Sequence, residues 1–352
     1  MNNRLSIGIL GGGQLGMMLC QAAKEIGIYT HIYCPDEDSP AKHFSNKFTC
    51  QDYLNEKEII NFSNSVDIIT YEFENIPKET LELISNKKLR PGIKSLEQTQ
   101  DRLVERKLLE KLDIPCAPYK ELKNKNDFNN AITHFDNAII KTRRFGYDGK
   151  GQIGVSQKTI CDDNISALFN QSIVEKKIPF EFEFSQVSCR DIFGNVFHFP
   201  LTKNIHENHI LKHSYAPLNL SNDFETNAKE ITSKIITNLD HVGVLAVEFF
   251  KTKENILVNE IAPRVHNSGH WTIEGCSESQ FKVHMQAVSG AKITQPKLLN
   301  ECHMVNLIGE EINEWAKKKS DNEVKIHLYH KNEIKKGRKM GHLTYIKDKK
   351  TD

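Results

Sequence analysis

The sequence has no long hydrophobic run, no close cysteine pair and almost no excess of charge of either sign. No stretch reaches the ~18 consecutive apolar residues that a membrane-spanning helix requires, and short apolar segments such as 244–247 run straight into charge. The chain is therefore expected not to cross a membrane. Its eight cysteines (Cys20, Cys34, Cys50, Cys116, Cys161, Cys189, Cys276, Cys302) include no C-x-x-C and no zinc-type spacing with histidine, so free thiols in a reducing cytoplasm are expected. Lys plus Arg number 47 against 46 Asp plus Glu, which removes the broad basic field that non-specific nucleic-acid binding needs. Repeats and low-complexity segments are absent. What is there is an ordinary mixture, 38% hydrophobic and 26% charged, over 352 residues. Single cores stop growing near ~250–300 residues, so two or three domains are expected.

The first apolar stretch, 5–23, follows Arg4 in the manner of a secretion signal, but five glycines and Gln14 interrupt it. A strand, turn and helix fit better: residues 5–10 as strand, 15–26 as helix and 29–34 as a second strand. With a strand at 66–71 and a helix at 77–84, residues 1 to about 95 form a parallel α/β unit. A helix is expected over 101–112, strands over 138–142, 173–176 and 180–189, and a glycine-rich mobile loop over 143–152. Beyond 191 strands and turns are expected, with a single clear helix at 227–239. Residues 317–352 hold 12 Lys/Arg against 5 Asp/Glu, either a solvated face or an anion site.

Gly11, Gly13 and Gly16 fit G-x-G-x-x-G between strand and helix, where small residues let backbone N–H groups approach a phosphate; a plain tight turn needs the same glycines. With Asp36 beyond the second strand, a dehydrogenase stays open. Lys141 followed by Gly146-Tyr147-Asp148-Gly149-Lys150-Gly151-Gln152 suits a lid over a triphosphate, or a simple surface loop, and is not a Walker loop because no G-K-[ST] ends it. Residues 244–252 and 255–263 read as an antiparallel hairpin centred on Glu254, which sets Glu248 opposite Glu260 on a partly buried face with Ala246, Phe250, Val258 and Ala262. Two facing carboxylates repel unless a cation lies between them. Mg²⁺ with nucleotide oxygens in its shell is the natural candidate, and a slip of one residue would instead expose one Glu. Directly after the hairpin, Arg264 offers a bidentate fork for a planar anion and His266 a proton carrier.

Taken together, residues 11–16, Gln100-Asp101-Arg102, 146–152, the block 259–272 (Asn-Glu-Ile-Ala-Pro-Arg-Val-His-Asn-Ser-Gly-His-Trp-Thr), 304–309 and Gly337-Arg338-Lys339-Met340-Gly341-His342 resemble the ATP-grasp N5-carboxyaminoimidazole ribonucleotide synthetases of purine synthesis, over nearly the whole chain. The resemblance implies an α/β, three-domain ATP-grasp fold: a Rossmann-like domain over 1–98, a lid domain over 99–176 and an ATP-grasp and substrate domain over 177–352. It implies ATP-dependent carboxylation of 5-aminoimidazole ribonucleotide by bicarbonate through carboxyphosphate, in a cytoplasmic enzyme, with relatives suggesting a homodimer. By the same resemblance, Arg102 and Lys141 hold ATP phosphates, residues 146–152 form the lid, Glu175, Lys176, Lys177 and Ile178 read adenine, Glu183 holds ribose, and His206 and Asn259 add ATP contacts. Glu248 and Glu260 become the Mg²⁺ ligands. Gln14, Leu15, Lys331 and Arg338 take the acceptor's phosphate, Tyr147 and Asp148 its aminoimidazole, and Arg264, His266 and Asn267 the bicarbonate.

Overall fold

The computed structural model describes residues 4–146 and 149–347. Strands β1 (Ser6–Leu10), β2 (Tyr29–Cys34), β3 (Lys47–Cys50) and β4 (Ile68–Tyr71) form a wholly parallel sheet in the order β3-β2-β1-β4. Ile7, Ile9 and Leu10 have no exposed surface, as expected of a central parallel strand covered on both faces. The helix Gln14–Glu25 follows β1. The strand order reverses between β1 and β4, and open sheets of this kind place ligands beyond the carboxyl ends of such a pair. Gly11 and Glu72 stand at those two ends.

A second, antiparallel sheet comprises β5 (Tyr119–Leu122), β6 (Asn137–Thr142), β7 (Gln152–Ser156) and β8 (Ser172–Lys176), ordered β5-β8-β6-β7. The helix Lys125–Phe135 is capped by Asn124, whose side chain accepts from the Asn126 and Asp127 amides, and packs Phe128, Ala131 and Ile132 on this sheet. The glycine loop joins β6 to β7.

The third sheet has nine strands, all antiparallel: β9 (Phe182–Arg190), β10 (Val196–His198), β11 (Thr202–Glu207), β12 (Ile210–Ala216), β13 (Gly243–Lys251), β14 (Ile256–Ala262), β15 (Glu301–Ile308), β16 (Val324–Leu328) and β17 (Lys339–Lys347). One face packs on the helix Asn222–Asn238 through Phe184, Val247 and Phe249. The other carries Val187, Ala246, Ala262 and Met304, and its core is continuous with Ile7, Met18 and Leu19 of the N-terminal unit.

Three expectations need correction here. The helix expected from 227 starts at Asn222, because Asp223 and Glu225 favour the positive end of its dipole. A second helix, Gln280–Ser289, lies where only strands and turns were expected. In the hairpin, Glu248 does pair with Glu260, but the register then shifts so that Phe249 pairs with Val258 and Phe250 with Leu257. Asn259 is the extra residue of a β-bulge, and Val258 packs on the face opposite the carboxylates. Among the described residues no helix is long and apolar enough to cross a membrane.

Candidate active site

The register places Glu260, Glu248, Glu183 and His206, from β14, β13, β9 and β11, on one face of the large sheet. Glu248 is 9% exposed. Burial, reinforced by the facing Glu260, pushes its carboxyl up to about 8. Enclosure also opposes charge on Glu260, but the nearby cations, Arg102 first and Lys141 next, hold it below the ordinary carboxylate range. The Arg102 guanidinium stands 3.3 Å from its Oε2. One carboxyl is compensated and its neighbour is not, which is the electrostatic state of a pair lacking a cation. Among the described residues no cluster of three or more His, Cys, Asp or Glu could hold a metal alone. Two hard oxygen donors facing each other fit Mg²⁺, which binds one or two protein carboxylates plus phosphates. His206 Nδ1–H donates to the Glu183 carboxylate at 2.7 Å. Burial works against charge on its imidazole, but Glu183 outweighs that and lifts it above the ordinary histidine value.

Behind this face lies a buried ionic frame. Asp101 caps the helix Arg102–Lys111 by accepting from the Leu103 amide, and its carboxylate takes two nitrogens of Arg143 at 2.7–3.0 Å. One turn along, Arg106 has no exposed surface and donates to Glu105 at 2.9 Å, to Glu175 at 2.7 Å and to the Asn259 carbonyl. Glu105 in turn accepts from the Ile261 amide at 2.9 Å. The frame thereby grips the bulge on both sides. Lys141 reaches the other oxygen of Glu175 at 2.6 Å. Against the cost of burial, Arg106 and Lys141 hold the Glu175 carboxyl down at about 2. Burial pulls the Lys141 ammonium below its usual value in spite of Glu175.

The segment after β14 is tied down residue by residue. Arg264 places Nε 2.6 Å from Glu74 and donates from Nη1 to the Val265 carbonyl, so the bidentate fork expected of it is already partly engaged. The Ser268 amide donates to His266 Nδ1 at 3.3 Å, which leaves the proton of the neutral ring on Nε2, 3.4 Å from Glu248. Burial first, and Arg264 next, keep that ring neutral. Asn267 and Asn306 exchange amide hydrogen bonds of 3.0 and 2.8 Å. Trp271 is fully buried and donates to Thr202 at 2.9 Å.

At the N-terminal sheet the glycine loop does not offer its amides as expected. Gly13 N–H donates to Glu72 at 2.7 Å, and a Cβ on Gly11 (φ +110°) would stand 2.7 Å from the same side chain. A carboxylate seated there repels a pyrophosphate, and Asp36 accepts from the Asp38 amide in a local turn. The dehydrogenase reading therefore fails on geometry. The remaining elements at this place are Gln14, first residue of its helix, the buried Leu15, and the segment around 331. Lys331 donates to the Lys339 carbonyl at 2.7 Å, and Arg338 to the Glu333 carbonyl at 3.1 Å. His330 packs on Phe44 and Asn332 bonds Asp38, which brings the basic C-terminal run onto the N-terminal unit.

Residues 4–100 match the ribonucleotide synthetase preATP-grasp domain, 107–281 the ATP-grasp domain and 302–352 the phosphoribosylaminoimidazole carboxylase C-terminal domain. The N5-carboxyaminoimidazole ribonucleotide synthase of Bacillus subtilis is 38% identical, over 97% of this chain and 91% of that protein. The chain belongs to the N5-carboxyaminoimidazole ribonucleotide synthase family. A bifunctional purine synthesis protein of Dictyostelium discoideum is also 38% identical over 96% of this chain, which spans 37% of that longer protein. The crystal structure of the Aspergillus clavatus N5-carboxyaminoimidazole synthase, in complex with ADP and 5-aminoimidazole ribonucleotide, superposes with a TM-score of 0.90 at 28% identity, covering 99% of this chain and 95% of that one. The α/β ATP-grasp fold expected of the family is the fold observed.

Arg102, Lys141, Glu175, Glu248, Asn259, Glu260, Arg264 and His266 come together around one centre. Lys331 lies toward the glycine loop, where its charge acts on Glu72, while Arg338 is held by the Glu333 carbonyl. Tyr147 and Asp148 fall outside the described residues. The expected strand through 175–178 ends at Lys176, and the Lys176 and Lys177 amides donate to the Pro118 and Asn137 carbonyls. Sequence reasoning missed Glu105 and Arg106, which carry the frame. Their signal was present: two charges one turn into a helix whose other inward positions are leucines.

Proposed function

We propose that this chain carboxylates 5-aminoimidazole ribonucleotide with bicarbonate, converting ATP to ADP and phosphate, in de novo purine synthesis. The observation that carries this reading is the Glu248–Glu260 pair set between the cations Arg102 and Lys141 on one side and the Arg264–Asn267 segment on the other. In this reading Arg102 and Lys141 hold ATP phosphates beneath a lid of Gly146, Gly149, Lys150, Gly151 and Gln152. Glu183 and His206 hold the ribose end, and Asn259 lines the site beside Glu260. Because Lys176 and Lys177 already use their amides, the adenine-edge donor of the segment 175–178 falls to Ile178. Glu248 and Glu260 would hold Mg²⁺, which when bound offsets the negative charge of the phosphates.

A bicarbonate oxygen takes the γ-phosphoryl group as the bond to ADP breaks. The amine of the ribonucleotide then bonds to the carbonyl carbon of the resulting carboxyphosphate, phosphate leaves and one proton is released. Arg264, held by Glu74, presents its remaining edge to the anion, and His266 presents Nε2–H as a donor. Asn267, locked to Asn306, keeps that segment in place. Enclosure excludes water from a short-lived acyl phosphate. Gln14, Leu15, Lys331 and Arg338 hold the acceptor's phosphate, and Tyr147 and Asp148 its heterocycle. A homodimer belongs to the same reading and is checked by sedimentation equilibrium.

The test is ADP release with Mg-ATP and 5-aminoimidazole ribonucleotide, with bicarbonate present or stripped out. Release that needs bicarbonate and matches carboxylated product one for one supports the proposal. Equal turnover without bicarbonate, or turnover only with formate, rejects it.

A further inference from the structure

The backbone of His266 is held by a glutamine that no sequence pattern assigns. Gln280 opens the helix Gln280–Ser289 and has no exposed surface. A buried carboxamide is costly unless its polar atoms find partners, and this one spends them all on the segment after β14. Its Oε1 accepts from the His266 amide at 2.9 Å, and its Nε2 donates to the His266 carbonyl at 2.6 Å. Because those partners are a backbone donor and a backbone acceptor, the carboxamide has only one orientation. Its second Nε2 hydrogen goes to His270 Nδ1 at 3.3 Å, so that neutral ring accepts there and carries its own proton on Nε2. The Gln280 amide donates to Thr272 Oγ1 at 3.0 Å, and that hydroxyl donates to the Gly269 carbonyl at 2.6 Å. A Cβ on Gly269 would lie 2.9 Å from the carboxamide, so Gln280 approaches the turn this closely only while that position is glycine. The residues that follow it in the helix, Phe281 and Val283, are buried in the core shared by the N-terminal unit and the large sheet. His266 is thus tied to a rigid element, while Ser268 Oγ, which accepts from Ser185 at 2.7 Å, donates to its ring at 2.8 Å. The first grip sets where the residue sits, and the second sets which nitrogen carries the proton.

Resting on the carboxylation reading above, we propose that Gln280 is a positioning residue for that reaction, holding the His266 peptide so that the ring's Nε2–H meets the bicarbonate-derived anion. Having no exposed surface, it touches no substrate itself and acts only through His266. A donor displaced by about 1 Å from the charge that develops costs up to roughly 100-fold in rate.

The experiment is a double-mutant cycle of Gln280→Met, which keeps the length of the side chain and removes its hydrogen bonds, with His266→Ala, reading kcat and KM by ADP release and Mg-ADP affinity by titration calorimetry. In the parent, Gln280→Met should lower kcat by roughly 10- to 100-fold while Mg-ADP affinity stays within about two-fold and the ribonucleotide KM within about three-fold; in the His266→Ala background it should cost less than about three-fold. A kcat loss below about ten-fold in the parent, a loss above about three-fold that recurs without the imidazole, or a Mg-ADP affinity moved beyond about two-fold overturns the assignment, because a general loosening of the core would not depend on the His266 ring. A His266→Ala protein with parental kcat leaves nothing to position and overturns it as well. Should Gln280→Met fail to fold, Gly269→Ala takes its place in the cycle under the same criteria, since its Cβ displaces the carboxamide without removing it. Parent protein that releases ADP without bicarbonate rejects the carboxylation reading itself, a result separable from the cycle.

Discussion

Arg102 and Arg106 stand one helical turn apart, yet the first faces the cleft and the second faces only protein. The Arg106 guanidinium neutralises Glu105 and Glu175 where neither can reach water. Replacing it by Met leaves Glu105 without its ion pair and Glu175 with Lys141 alone, a loss expected to cost about 3–5 kcal/mol in urea unfolding. Glu260→Gln should cost less: it removes the Arg102 ion pair but also the facing charge that opposes ionisation of Glu248, so unfolding stability should stay within about 1 kcal/mol, while ADP release falls by roughly 100-fold or more. A Glu260→Gln protein with full turnover would mean that the pair is not the metal site. Arg338→Ala belongs at this scale too. It should raise the ribonucleotide KM by about ten-fold with little change in the ATP KM, and an unchanged ribonucleotide KM rejects its place at the acceptor's phosphate.

Among the elements, the lid between β6 and β7 has the sharpest steric constraint. Gly149 has φ +76°, and a Cβ there would lie 2.4 Å from the Cβ of His209 in the turn between β11 and β12. The loop therefore approaches the large sheet at Gly149 this closely only while the position is glycine. Gly149→Ala should leave the thermal midpoint unchanged but lower carboxylation by about ten-fold and raise the share of ADP released without product, because an unseated lid admits water. A fully coupled Gly149→Ala enzyme would show that this contact is not part of closure. In the sequence, glycine density marks the loop between β6 and β7, and a hairpin centred on Glu254 opposes Glu248 to Glu260, but the register at the turn would instead oppose Glu248 to Asn259, and it is the Asn259 bulge that brings Glu260 opposite. The Asn259 bulge was not legible, since a bulge is set by what grips it, here Arg106 and Glu105, whose bonds to Asn259 and Ile261 span 153 and 156 residues of chain. The helix Gln280–Ser289 escaped because Phe281, Val283, Met285 and Ala287 alternate as a strand would. It is buried on nearly all sides, so no single stripe appears; Ser279, which caps it, and Gly290 beyond it were the available signals.

At the scale of the molecule, the N-terminal sheet and the large sheet share one core, and two buried histidines stitch its seam. His284 accepts the Val244 amide on Nδ1 at 3.0 Å, which leaves Nε2–H facing the Thr70 hydroxyl at 2.8 Å. His241 sits between the Ser95 hydroxyl and the Val244 carbonyl, each at 3.0 Å. Neither ring has exposed surface, and His284 cannot take a second proton without losing the Val244 bond. Burial pulls both down to about 3, with Arg190 adding to the effect at His241 and His241 adding to it at His284. In the unfolded chain these histidines titrate near 6.5. Below that pH the unfolded state binds protons that the folded state refuses, so the stability they support is complete above pH 6.5 and is lost as pH falls toward 3. Each ring should add a slope of about 1.4 kcal/mol per pH unit within that window. Unfolding free energies from urea titrations at pH 7, 6 and 5 should therefore fall less steeply in His284→Asn than in the parent, by about one proton's worth of slope, even though the variant starts less stable at pH 7. Parallel pH dependences in the two proteins would mean that His284 takes up its proton in the fold as readily as in the unfolded chain.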